Sequence, residues 1–293
     1  MKRLLLLLLF VTTTAFASPV NIVISVTPGG AIDLTGRTLS KILSDNGIDN
    51  IVTYKPGADG DIAYNYVMVE RDNVILAGAA ANFVFSHVVQ NRDNFHSTTM
   101  TIIAPVAKTP MAFLTGPKGF ATFNSMIASA KTTPLPCGVS NAHGTVELTR
   151  INKMYGTKFE PVPYKGSGPV AQDLGGNNLR CAYDSVASHI PRHEAGQLRI
   201  LAVTHKTKIT APLASTALPG YAFENWYGFA IPNGSNLLAN QRLLDIMQNF
   251  GQYTEQVKPM VDQGFILEKP TKNINEINYL QTRNYRIYRK MVQ

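Results

Sequence analysis

The chain has 293 residues, with 27 Lys+Arg against 19 Asp+Glu and a formal net charge of +8. The excess is mild and spread along the chain. Its densest stretch, "TRNYRIYRK" near the C-terminus, reads as a solvated helix face, and no nucleic-acid-binding module accompanies it, so nucleic acid is excluded as a partner. The two cysteines, Cys137 and Cys181, form no Cys-x-x-Cys pair and have no clustered His at zinc spacing, so no metal site is predicted.

Met1 to Ala17 reads as an export signal. Lys2 and Arg3 give a positive start, Leu4 to Val11 a short apolar run, and Ala15-Phe16-Ala17 a small-x-small cleavage site. The run is far short of the ~20 apolar residues that span a bilayer. The expected result is cleavage after Ala17 and a periplasmic protein. In an oxidising compartment two cysteines suit one disulfide, Cys137 to Cys181. Both lie in apolar segments, so two buried thiols are an equal reading.

Strand-like runs then alternate with helical patterns. The runs are "NIVISV", "NIVTY", "NVILAG", "TIIAPV", "LPCGVS", "LRCAYD" and "LRILAVT"; helices are predicted at Leu34 to Asp45, Ala63 to Glu70, Phe123 to Lys131, Val146 to Met154 and Pro169 to Leu174. Such alternation predicts an α/β fold with parallel sheet and right-handed crossovers. Two Pro/Gly-rich stretches, Leu114 to Phe123 and Leu218 to Asn236, break the series. They divide the chain into a first lobe (18–115 and 228–293) and an inserted second lobe (116–227). Helices at Asn240 to Gly251 and Asn275 to Val292 are expected to return to the first lobe.

Two turns stand out as binding loops. In "TPGGAID" a strand ends, glycines follow and a helix starts. Such a helix end offers unpaired N–H groups with a partial positive charge, and glycine allows close approach. Pro28, Gly29, Gly30 and Ala31 read as such an anion cradle, with an ordinary strand-to-helix turn as an equal reading. Asp33 either caps the helix or accepts from a water or a ligand amine. A second cradle runs from Cys137 to Arg150 and offers Ser140, Asn141, Gly144 and Thr145. A third polar turn carries Asp184 and Ser185. Cradles in two lobes predict a ligand gripped in the cleft between them.

An enzyme reading is weak. Ser140, His143 and Asp184 are the types of a catalytic triad, but no Gly-x-Ser-x-Gly elbow exists. His189 and His193 are four apart, but Pro191 lies between them and no zincin Glu is present. His143 is expected to face solvent. Trp226 and Tyr227 are expected to pack at the hinge or cleft floor.

Five motifs in order carry a family resemblance: "PGGAIDLTGR", "YKPGADGDIA", "VPYKGSGPVAQDLGG", "HEAGQLRILAVT" and "LPGYAFENWYGFAIPNG". The chain resembles the Bug family, the solute-binding receptors of tripartite tricarboxylate transporters. The resemblance implies a two-lobed periplasmic-binding-protein fold, a "Venus flytrap" with parallel-type sheets and two crossover strands. It also implies a monomer that closes on a small carboxylate without a cofactor, and membrane permease subunits, or a sensor kinase, as partner; a sensing receptor or a periplasmic amino-acid binding protein would read the same in this sequence. Family roles then fall on Pro28, Gly29, Gly30, Ala31 and Asp33 in the first lobe and on Ser140, Thr145 and Asp184 in the second. Lys165, in the Pro-Tyr-Lys-Gly segment, either meets the ligand or is solvated. The chain departs from the family at Ala79, Ala80 and Asn82, where hydroxyl residues are usual. It departs again at Asp59 and Asp61, where glycines are common, and an acidic wall there favours a ligand that also bears an amine.

Overall fold

The computed structural model describes residues 18–80, 82–83, 99–206 and 210–270. The export segment and the helix expected at 275–292 lie outside the described residues. In the first lobe, β1 (Val20–Ile24) pairs in parallel with β2 (Asn50–Tyr54) on one side and β3 (Val74–Ala79) on the other. The helix α1 (Ala31–Asp45) connects β1 to β2, and α2 (Asp61–Glu70) precedes β3. Apolar spacing decides how α1 lies: Ile32, Leu39, Ile42 and Leu43 fall on one face and are buried in the core under the sheet.

The strand β4 (Met100–Thr115) is far longer than the run "TIIAPV" predicts. Its first part pairs antiparallel with β9 (Glu224–Pro232), and β9 pairs antiparallel with β3. Its far end belongs to the second lobe, where it pairs with β7 (Cys181–Ser185) and β8 (Arg199–Val203). Register shifts near Pro105 mark where β4 is irregular, as expected where Pro cannot donate to a ladder. β4 thus carries the chain into the second lobe and β9 brings it back, so both crossovers are strands. The sheets are mixed rather than parallel throughout, because these two strands run against their neighbours.

The stretch Leu218 to Asn236 is therefore not a plain break: nine of its residues form β9. Gly228 misled as a turn signal. It is small because β4 passes close by, and a Cβ there would lie 2.4 Å from the Ala104 carbonyl oxygen. The strand β6 (Phe159–Pro163) was also hidden, since "FEPVP" holds two prolines. It is the edge strand beside β5 (Leu135–Val139), where missing N–H groups are tolerated.

In the second lobe, α3 (Phe123–Thr132), α4 (Ala142–Tyr155), α5 (Ser167–Gly175) and α6 (Ile190–Glu194) flank the sheet. A core of Phe113, Phe123, Met126, Leu148, Ile151 and Phe159 lies on one face. Cys137 and Cys181 stand opposite each other on β5 and β7 and are disulfide-bonded, which decides between the two readings. In the first lobe, α7 (Gln241–Gln248) and α8 (Thr254–Asp262) pack Leu243, Ile246, Met247 and Met260 onto the core, and β10 (Ile266–Leu267) joins β4.

Candidate functional site

The first turn, Thr27 to Ala31, joins β1 to α1 at the cleft. Gly29 has φ +96°, a left-handed conformation that L side chains rarely adopt. Asp33 holds the turn from behind. It accepts the Gly29 N–H at 2.8 Å and the Tyr54 hydroxyl at 2.7 Å, and pairs with Arg37 at 3.0 Å. Burial and the Asp33 bond push the Tyr54 phenol up to about 12. Asp33 therefore caps the loop and is only 1% exposed. No side chain caps α1 at Gly30. The Ala31 N–H instead crosses the cleft and donates to Ser188 Oγ at 3.0 Å. The Thr27 N–H and hydroxyl both donate to the Lys165 carbonyl, at 3.2 and 3.1 Å. The two lobes touch through these bonds.

The second turn, from β5 to α4, is built differently. The Asn141 side chain caps α4 by accepting the Gly144 N–H at 3.3 Å. Ser140 donates its hydroxyl to Asp184 at 2.8 Å. Asp184 also accepts from the Ser185 N–H at 2.7 Å and contacts His189 Nε2 at 2.9 Å. Burial acts to raise the Asp184 carboxyl, but bonds from His189, Ser140 and Ser167 hold it below the usual carboxylate range. Asp184 is thus committed to organising the turn. Ser185 and Ser188 share a hydroxyl bond of 2.7 Å, which links this turn to the first.

This geometry also tests the triad. Ser140 bonds Asp184 and not a histidine. His143 does not face solvent as expected: it is fully buried and stacks on Phe223, with ring centroids 4.4 Å apart. Burial lowers its pKa to about 4. His189 turns inward to Asp184, away from any pairing with His193.

Two neighbouring spaces lie at the turns. The outer cavity, of about 210 Å³, is lined by Ser25, Asp59, Asn82, Ser140, Asn141 and Lys165, among others. The inner pocket, of about 20 Å³, has room for about one water. It is lined by Gly30, Ala31, Ile32, Ser140, Asn141, Asp184, Ser185, Ser188, Asn225 and Tyr227, with others. Ser25 Oγ at the outer cavity and Asn225 Oδ1 at the inner pocket are buried without a protein hydrogen bond. Unpaired buried groups are costly, so both are groups a ligand or water can satisfy.

Of the residues expected from sequence, Gly30, Ala31, Asn82, Ser140, Asn141, Lys165, Asp184 and Ser185 line these spaces. Pro28, Gly29 and Asp33 shape the first turn from outside them. Ala79 and Ala80 are fully buried behind Asn82, whose Oδ1 accepts the Ala79 N–H at 3.0 Å. Thr145 is half-buried on the first turn of α4 and lines neither space. Sequence reading missed Ser25, Ser188 and Asn225. Ser25 carried one signal, being a polar residue at the end of an apolar strand.

Residues 36–280 match the model of the tripartite tricarboxylate transporter family receptor, TctC. The chain belongs to this family. Protein BugT of Bordetella pertussis is 24% identical over 281 residues, covering 85% of this chain and 86% of that one. Among solved structures, R. palustris Rpa4515 with adipate superposes at TM-score 0.84 with 23% identity, covering 93% of this chain and 95% of its own. MatC of Rhodopseudomonas palustris with bound malate gives TM-score 0.84 at 16% identity, covering 94% and 99%. These likenesses establish the periplasmic-binding-protein-like α/β fold. The family comprises solute-binding receptors and not enzymes, in agreement with the missing triad.

Proposed function

We propose that the chain is a periplasmic receptor that captures a small organic carboxylate in the cleft and delivers it to the membrane permease of a tripartite transporter. The observation that carries this reading is the convergence of two strand-to-helix turns, one from each lobe, on the polar inner pocket, with the larger polar outer cavity beside it lined by the second turn. Residues 18–115 with 228–293, and 116–227, act as the two closing bodies, and Met1 to Ala17 is removed after Ala17. The mechanism is a population shift. A ligand that bridges both turns stabilises the closed form by its extra contacts there. Amides at the α1 N-terminus supply donors for the carboxylate without a cofactor. Asp33 and Asp184 are positioning residues that fix the two turns.

The test is thermal unfolding of the purified protein with mono-, di- and tricarboxylates, amino acids and uncharged sugars. A ligand at 100 times its Kd adds about 2.7 kcal/mol to stability. A raised Tm with carboxylates alone supports the reading. A rise with sugars and none with any carboxylate overturns it.

A further inference from the structure

Asp59 sits where this cleft is least like a plain anion trap. It lies on the loop between β2 and α2, lines the outer cavity, and has φ +52°, a conformation uncommon outside glycine. Asn82 fixes the loop: its Nδ2 donates to the Asp59 carbonyl at 3.1 Å while its Oδ1 holds the end of β3. Gly60 next to it cannot carry a side chain, since a Cβ would lie 2.4 Å from Asn82 Nδ2. The backbone of Asp59 is thus held at the cavity by a built loop.

Its surroundings decide what it can do. Asp59 keeps solvent contact, yet partial desolvation pushes its carboxyl up, the Ala142 N–H at the start of α4 pulls it back, and the Asp61 charge raises it again. A carboxylate of the protein itself therefore already faces the amide end of the second-lobe helix. Among the described residues no Lys, Arg or His lies within ion-pair distance of Asp59. Lys165 lines the same cavity and supplies a positive charge for a carboxylate. Ser25 Oγ, buried and without a protein partner, offers a further donor. The cavity is thus lined by one acidic residue and one basic one, and a dicarboxylate would bring its second charge against Asp59.

We propose that Asp59 sets the ligand class: the cleft takes a compact aminocarboxylate, with its ammonium on Asp59, and disfavours the dicarboxylate of equal length. This rests on the carboxylate-receptor reading above. An opposite charge within ~4–6 Å favours an ion and a like charge disfavours it. The site is partly open to solvent, so the expected preference is about tenfold rather than the larger factors of a dry interior.

The experiment is isothermal titration of wild type and Asp59→Asn with two matched pairs: glutarate against 4-aminobutanoate, and succinate against 3-aminopropanoate. Asn tolerates the left-handed backbone at 59, and Asp59→Gly serves as a second variant that adopts it freely. Thermal unfolding of both variants confirms that they are folded. The expected result is a wild-type preference for the amino member of at least one pair by about tenfold, lost or reversed in both variants. Tighter binding of the dicarboxylates to wild type, or a ratio unmoved in the variants, overturns the proposal while leaving the carboxylate receptor intact. Binding of neither amino compound to wild type also overturns it. If carboxylates of every class fail to bind all three proteins, the receptor reading falls with it.

Discussion

The two strand-to-helix turns do the same job in opposite ways. The turn before α1 has glycine at the cap and no side-chain cap, and it is held from behind by Asp33 and from across the cleft by Ser188. The turn before α4 caps itself with Asn141, ties Ser140 to Asp184, and faces Asp59 from the other lobe. One helix end has no side-chain cap of its own and borrows Ser188 from across the cleft, and the other is capped from within its own turn. A receptor built this way reads the two ends of its ligand by different chemistry. It gains orientation as well as affinity.

The comparison breaks most sharply at Asp184. Replacing it with Ala leaves Ser140, the Ser185 N–H and buried His189 without their acceptor. The expected loss is about 3–5 kcal/mol of stability, read as a lowered urea midpoint. A loss below 1 kcal/mol would remove Asp184 from its organising role.

A second prediction uses pH. His143 is neutral in the fold, with its pKa lowered from 6.5 to about 4 by burial. The unfolded chain gains a proton near pH 6.5 that the folded one refuses until about pH 4. Stability from this group is therefore complete above about pH 6.5 and falls as pH drops toward 4, by about 3 kcal/mol. Unfolding by urea at a series of pH values checks this, and His143→Asn should flatten the slope.

The smallest expected effect concerns the first turn. Gly29→Ala forces a side chain into φ +96° and should cost about 1–2 kcal/mol. Carboxylate affinity should fall with it, because the α1 amides move. Unchanged affinity and Tm would show that this turn need not hold its conformation.

Local chemistry was legible in the sequence and long-range chemistry was not. The runs that became β1, β2, β3, β5, β7 and β8 are apolar segments bounded by turn residues, and the helices between them keep an apolar face. The positions of both turns followed from those boundaries, as did the choice of Ser140, Asn141 and Gly30. The strand β9 was obscured by Gly228 and Pro232, which mark close packing and a strand end rather than a loop. The bond from Ala31 to Ser188 joins residues 157 apart, and no spacing along the chain announces it. Buried His143 was misjudged because the ring it stacks on, Phe223, lies 80 residues further along the chain. The family motifs located the cleft. They could not show that Asp33 and Asp184 would spend their oxygens on the protein's own donors.

The most direct test is a crystal structure with the carboxylate that gives the largest rise in Tm. The account predicts the ligand in the cleft between the turns, with carboxylate oxygens at hydrogen-bond distance, roughly 2.7–3.2 Å, from the Gly30–Ile32 amides. A carboxylate bound outside the cleft, or seated on the α4 end with Asp59 turned away, would contradict the unequal division of labour between the two turns.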